Sequence, residues 1–123
     1  MGLSPGSRKF AQWEIWTVPW TDENGETKDR PALLISPDQY INENDMVRFM
    51  MISTQEVWDP YRVDLLPGDS GWFESGLDEH SYFYIREIRK IPKSEIKKWI
   101  GYVTLTLGAK IDEAIRATRL QGP

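Results

Sequence analysis

Trp13-Glu14-Ile15-Trp16-Thr17-Val18-Pro19-Trp20 packs aromatic and β-branched residues into eight positions. Shorter runs of the same type recur as far as Arg89, set apart by segments with proline, glycine and asparagine. A chain of this pattern buries its core as short strands of a sheet. The first strand is expected to stop at or near Pro19. Thr21 to Asp29 reads as a mobile, acidic loop turning at Asn24-Gly25, where positive φ is tolerated, and Arg30-Pro31 leads into a second strand over Ala32 to Ile35. Ser36-Pro37-Asp38 punctuates the chain, and Asn42 to Asp45 predicts another turn. Met46 to Thr54 is nearly all apolar, which predicts a central strand covered on both faces, its polar end Ser53-Thr54 emerging from the core. Arg62 to Leu66 predicts a short strand, Pro67 to Gly76 a loop carrying Trp72 and Phe73, and Ser81 to Arg89 a further strand.

The period changes towards the C-terminus. Ser94 is placed to cap a helix of one to two turns with Ile96, Trp99 and Ile100 on one face, and Tyr102 to Leu107 predicts a return to strand. Ile111, Ala114, Ile115 and Thr118 then fall at helical spacing, with Asp112 and Glu113 early and Arg116 and Arg119 late, as the helix dipole favours. Several short strands closed by one helix in 123 residues predict a mainly β fold. The expected form is a small SH3-like barrel with a short helix and a C-terminal amphipathic helix packed on it. Residues 1–12 are expected to be a loose leader and residues 13–123 a single domain.

Composition excludes several functions. The longest aliphatic or aromatic runs, such as Ala32 to Ile35 and Phe49 to Ile52, fall far short of the roughly 20 residues that span a membrane. Zero cysteines remove disulfide frameworks and thiolate zinc sites, and the residues through Lys9 lack the apolar stretch of a secretory signal, so a cytoplasmic location is expected. The formal net charge of −4 has the wrong overall sign for a non-specific phosphate binder. The acidity lies in the first half, however, and Arg86, Arg89, Lys90, Lys93, Lys97 and Lys98 face only Glu87 and Glu95 within their own segment. One face can still attract a polyanion; the plainer reading is a solvated strand end and helix surface.

The order of landmarks is more informative. A first strand Trp-x-Ile-Trp-x-Val-x-Trp, a charged turn, Arg30-Pro31-Ala32-Leu33-Leu34-Ile35-Ser36, a buried strand ending Met51-Ile52-Ser53-Thr54, Ser75-Gly76-Leu77 with Ser81 beyond it, Arg86 to Ile91 and a closing helix together resemble the MazF/PemK family of toxins over about residues 13–120. The resemblance implies a toxin of a type II toxin-antitoxin system. It would be an endoribonuclease that cuts single-stranded RNA without a metal or other cofactor, works as a homodimer and is silenced by a cognate antitoxin. Metal-free cleavage uses the ribose 2′-hydroxyl as internal nucleophile, so the protein needs a phosphorane stabiliser and proton-transfer partners but no nucleophile of its own. A chain with no cysteine and one histidine is compatible with that chemistry.

Carried over residue by residue, the resemblance makes Arg30 the phosphorane stabiliser, since a guanidinium offers two directed hydrogen bonds to a phosphate edge. The plainer alternative is a surface ion pair of Arg30 with Asp29 or Glu26. Ser53 stands where relatives have a threonine facing this arginine, with Thr54 directly after it; a strand-end cap is the alternative for that hydroxyl. Trp20, Lys28, Arg86, Glu87 and Arg89 form the expected RNA-contacting set, with Trp20 as the base-stacking ring. Arg86 occupies a position where some members place a catalytic carboxylate, and that role is not transferred to it. Glu87, in the position of a family glutamine, is either a base or RNA contact or a solvated strand carboxylate. His80 lies outside the family's usual catalytic positions and reads as structural or exposed. Trp16 and Trp99 are expected in the core or the helix contact, whereas Trp72 and Phe73 are available to a partner subunit or antitoxin. Acidic antitoxin tails suit Arg86, Arg89 and Lys90. Two competing readings keep the same barrel: a non-catalytic, protein-binding growth inhibitor like the gyrase-poisoning relatives, and a degenerate interaction module.

Overall fold

A computed structural model describes residues 9–120. It contains six strands, β1 (Glu14–Thr21), β2 (Thr27–Leu34), β3 (Met46–Ser53), β4 (Val63–Leu65), β5 (Ser81–Pro92) and β6 (Trp99–Tyr102). All are antiparallel to their neighbours, in one sheet of order β4-β5-β3-β2-β1-β6. The helices are α1 (Asp38–Glu43), α2 (Trp72–Ser75) and α3 (Leu105–Leu120). The sheet curls into a half-barrel with α3 packed on it, as the mainly β, SH3-like expectation required.

Strand alternation divides the core between two faces. On the outer face Ile15, Leu33, Met50, Ile52 and Phe83 meet Leu107 and Ile111 of α3. On the inner, concave face Trp16, Val18, Trp20, Ala32, Leu34 and Phe49 pack with Ile41 of α1 and Ile96. β3 is therefore covered on both sides, which is why its sequence reads as a continuous apolar run. A bulge in β5 lets Met50 pair with Ile88 while Met51 pairs with Tyr84, so Ile85, Arg86 and Glu87 are unpaired against β3.

Several expected boundaries move. β1 continues through Pro19, which pairs with Asp29. The Thr17 N–H points to Lys98 at 2.8 Å, so the Pro19 nitrogen, two residues on, also points away from β2, and its missing N–H breaks no bond of the hairpin. The expected loop of Thr21 to Asp29 shrinks to a tight turn. The Asp22 carboxylate accepts the Asn24 and Glu26 N–H groups at 2.9 and 3.0 Å, and Gly25 takes φ +82°. α1 replaces loop before the Asn42 to Asp45 turn, and α2 lies within the Pro67 to Gly76 loop. The helix expected after Ser94 is only a 3₁₀ turn, Lys93–Glu95; Trp99 and Ile100 belong to β6, and Trp99 is 48% exposed and not core. Leu105 to Leu107 open α3 instead of extending a strand. Of the expected leader, residues 1–8 lie outside the described residues, while Phe10 meets Trp16 edge-on at 5.0 Å and the Gln12 side chain donates to the Ile35 carbonyl at 2.9 Å.

Candidate functional site

The β1–β2 hairpin projects beyond the end of β3. Pairing of Val18 with Arg30 and of Ala32 with Met51 places Arg30 on the same concave-side face as Met51 and Ser53, and the register carries Arg30 towards Ser53. Arg30 is exposed, and its side chain has no hydrogen bond or ion pair among the described residues. Its acidic neighbours are engaged elsewhere, Asp29 with Lys97 at 2.8 Å and Glu26 with Lys28 at 3.5 Å. The surface pairing that would have consumed Arg30 is not formed.

The Ser53 hydroxyl oxygen accepts the Gln55 N–H at 3.1 Å, closing the end of β3 and leaving its own hydrogen to donate. Thr54 follows and is exposed. The loop beyond it is anchored to β5. The Tyr84 hydroxyl donates to the Gln55 carbonyl and accepts the Val57 N–H at 2.8 Å. Arg62 bridges Glu56 at 2.8 Å and Asp64 at 3.2 Å, donates to the Val57 carbonyl at 3.1 Å, and lies 4.8 Å over the ring of Tyr82, the cross-strand partner of Ser53. The hydrogen bond and charge of Arg62 hold the Glu56 carboxyl below the usual carboxylate range, and the same bond raises the Arg62 guanidinium. Burial, then Glu56, raises the Tyr82 hydroxyl. This anchored loop presents Trp58 with 83% of its surface exposed.

The remaining expected residues are arranged differently. Trp20 is only 4% exposed, and Arg89 stands 4.5 Å over its ring while donating to the Thr21 carbonyl. Its ring face is covered, so Trp20 offers no open platform for a base; with Arg89 it fastens β5 to the end of β1 across the curled sheet. Arg86 reaches back to Asp59 at 3.3 Å and lies 5.3 Å over Tyr61, which ties the bulge to the Trp58 loop. Glu87 is exposed in that bulge with no partner among the described residues, and Lys28 is exposed on the hairpin. His80 stacks on Tyr82 at 4.5 Å with its Nε2 3.7 Å from Asp64. Of the expected residues, Arg30, Ser53 and Thr54 are therefore left open, and Trp58 is exposed on the loop that follows them, a loop held by Tyr82, Tyr84 and Arg62. Sequence reasoning missed Trp58 and the four-residue anchor of Glu56, Arg62, Tyr82 and Tyr84. The available signal was the pair of tyrosines two apart on one strand, which must share a face.

A family model described as PemK-like, MazF-like toxin of type II toxin-antitoxin systems matches residues 11–118. The chain belongs to this toxin family. Its fold is similar to that of an endoribonuclease in complex with its cognate antitoxin from a mycobacterial species, at 23% identity over 92% of this chain and 96% of that one, with a TM-score of 0.68. An endoribonuclease from mycobacteria is similar at 22% identity over 94% and 95%, TM-score 0.70. MazF of Deinococcus radiodurans is similar at 15% identity over 92% and 98%, TM-score 0.70. No curated protein matches the chain. Within the family's fold, the toxin's Arg30 and Ser53 thus stand on the rim of the concave face, at the opposite end from α1.

Proposed function

We propose that this toxin is a cytoplasmic, homodimeric endoribonuclease that cuts single-stranded RNA and is neutralised by a cognate antitoxin. The observation that carries the reading is the unpartnered guanidinium of Arg30, set in register with the hydroxyl of Ser53 on one open face. No helix among the described residues is long and apolar enough to cross a membrane.

In the proposed reaction the 2′-oxygen attacks the adjacent phosphorus, the O2′–P bond forms and the P–O5′ bond breaks. The products are a 2′,3′-cyclic phosphate and a free 5′-hydroxyl. One proton leaves the 2′-hydroxyl and one reaches the departing 5′ oxygen. Arg30 donates to the non-bridging oxygens as the phosphorane gains charge. Ser53, whose oxygen already accepts the Gln55 amide, donates its hydrogen to the same phosphate, and Thr54 lies next to it on the exposed side. Glu56 is kept ionised but committed to Arg62, and Asp59 is committed to Arg86, so solvent carries the two protons unless Glu87 takes one. Trp58 supplies the stacking surface first expected of Trp20. Lys28 adds positive charge at the hairpin.

The test is incubation of mixed-sequence RNA with pure protein in EDTA, with Arg30→Ala alongside. Fragments ending in 2′,3′-cyclic phosphate from the parent and not from the variant support the proposal. Intact RNA at every protein concentration overturns it and favours the protein-binding inhibitor.

A further inference from the structure

Trp58 leaves most of its indole in water, and its side chain has no hydrogen bond or ring contact among the described residues. A ring so exposed forgoes the stabilisation that burying a large apolar surface brings. Its backbone is nonetheless fixed on both sides. Before it, Val57 is bonded at both of its polar groups. The Val57 N–H donates to the Tyr84 hydroxyl at 2.8 Å, and the Val57 carbonyl, which belongs to the peptide unit shared with Trp58, accepts from Arg62 Nη1 at 3.1 Å. After it, the Asp59 carboxylate accepts the Tyr61 N–H at 2.9 Å and pairs with Arg86 at 3.3 Å, while the Asp59 carbonyl accepts the Arg62 N–H at 3.3 Å. That turn folds the chain back, so the Arg62 guanidinium reaches the residue just ahead of the ring.

Each nitrogen of Arg62 is committed to a different group. Nη1 serves the Val57 carbonyl, Nη2 meets Glu56 at 2.8 Å and Nε meets Asp64 of β4 at 3.2 Å, with the guanidinium 4.8 Å over the Tyr82 ring of β5. A surface ion pair with Glu56 alone would stabilise little. The planar fork adds direction, because it ties the Val57–Trp58 peptide unit to two strands of the sheet at once. Tyr84 does the same for the Val57 N–H from within β5, where its ring is buried. A platform whose backbone is already ordered loses less entropy when a ligand settles on it, which raises affinity without any added contact.

We propose that Arg62 is a positioning residue for RNA binding, which acts through the Val57–Trp58 peptide unit to hold the Trp58 indole ready for a base, with Tyr84 in the same role at the Val57 N–H. The inference rests on the stacking role given to Trp58 above. Neither Arg62 nor Tyr84 touches the RNA itself.

The probe is a short fluorescein-labelled RNA of mixed sequence with 2′-O-methyl riboses, in which the internal nucleophile is blocked, so that anisotropy reads binding without cleavage. Expected are a roughly tenfold weakening on Arg62→Met, within what one stacked base contributes, a similar weakening on Arg62→Lys, and a smaller one on Tyr84→Phe. In a Trp58→Ala background the same substitutions should change affinity by less than about twofold, since the ring through which they act is gone. Tyr84→Phe keeps both the buried ring and the charge, so it carries the test where an Arg62 variant fails to fold. Weakening that persists undiminished in Trp58→Ala, or that Arg62→Lys restores, overturns the proposal and makes Arg62 a direct phosphate contact. Unchanged affinity on all three substitutions overturns it as well, with the stacking role of Trp58 left standing. If the parent binds no RNA, or Trp58→Ala binds as tightly as the parent, the stacking role itself falls and the proposal with it.

Discussion

In the proposed reaction the chemistry rests on Arg30, whose freedom comes from contacts that its neighbours make elsewhere. Lys97 draws Asp29 away and Lys28 takes Glu26, so the guanidinium at the rim has no carboxylate to leave before it meets phosphate. Removing a preorganised donor to a developing oxyanion costs about 100-fold or more in rate. Arg30→Ala should therefore lose cleavage by at least about that factor, and Arg30→Lys should restore only part of it, since an ammonium lacks the two-pronged geometry. RNA binding measured at high salt should change far less than the rate; an equal loss in both would make Arg30 a mere binding contact. Trp58→Ala should do the reverse, weakening RNA binding by about 1–3 kcal/mol per stacked base with a smaller effect on bound turnover. Arg30 and Ser53 enter through the family resemblance, carried by Arg-Pro before an aliphatic run and by a hydroxyl pair at the end of the next one; what the strand pattern adds is that both lie on one face of the sheet. Trp58 was not legible, since a tryptophan in a polar stretch carries no period. Trp20 was misread because its burial depends on Arg89, 69 positions away, which only the curl of the sheet brings over it.

At the scale of elements, the loop from Thr54 to Arg62 is held by side chains and not by ladder bonds, and one of its anchors titrates. Arg62 lowers the Glu56 carboxyl in the folded state relative to the unfolded chain, so this anchor contributes fully above the usual carboxylate range. The contribution is lost as pH falls through the lowered folded value. Asp64 faces the same guanidinium at 3.2 Å, and the His80 ring stands 3.7 Å from Asp64. Amide exchange at Val57, normalised for the intrinsic rate, should speed up on acidification below that range in the parent, and Glu56→Gln should be fast already at neutral pH. A pH-independent protection factor would show that Tyr84 alone fixes the loop. Packing of α2 against β6 offers a second check. A Cβ on Gly101 would collide with the backbone at Glu74 and Ser75, neither of which can yield as a flexible side chain would. Gly101→Ala should cost about 1–3 kcal/mol in chemical denaturation while leaving residual secondary structure intact. These elements were the least legible in the sequence. Helices of four and six residues are below the length at which a period can be counted, and a buried glycine looks the same as a turn glycine.

Across the whole molecule, the strand series and the closing helix were readable because each spans enough residues to express its period, whereas the assembly is not written in any period. The surface supplies the argument instead. Phe73 on α2 is 90% exposed and Leu105 at the start of α3 is 93% exposed. Gly71, just before α2, lies against Thr104 and Leu107 at the start of α3, so the two exposed residues belong to segments that meet at that point. Tyr102 on the outer strand β6 adds a half-exposed ring next in sequence to that region. Large apolar side chains gathered in this way mark an association surface, and the proposed homodimer needs one that leaves the concave rim and its Arg30 accessible. Phe73→Ser with Leu105→Ser should shift the protein from dimer to monomer by sedimentation at micromolar concentration, with an unchanged or higher thermal midpoint at concentrations where the parent is already monomeric. If the doubly substituted protein sediments as the parent does, the dimer is built on another face. If it becomes monomeric and keeps full cleavage, each rim acts alone; lost cleavage with intact fold would mean that RNA lies across both subunits.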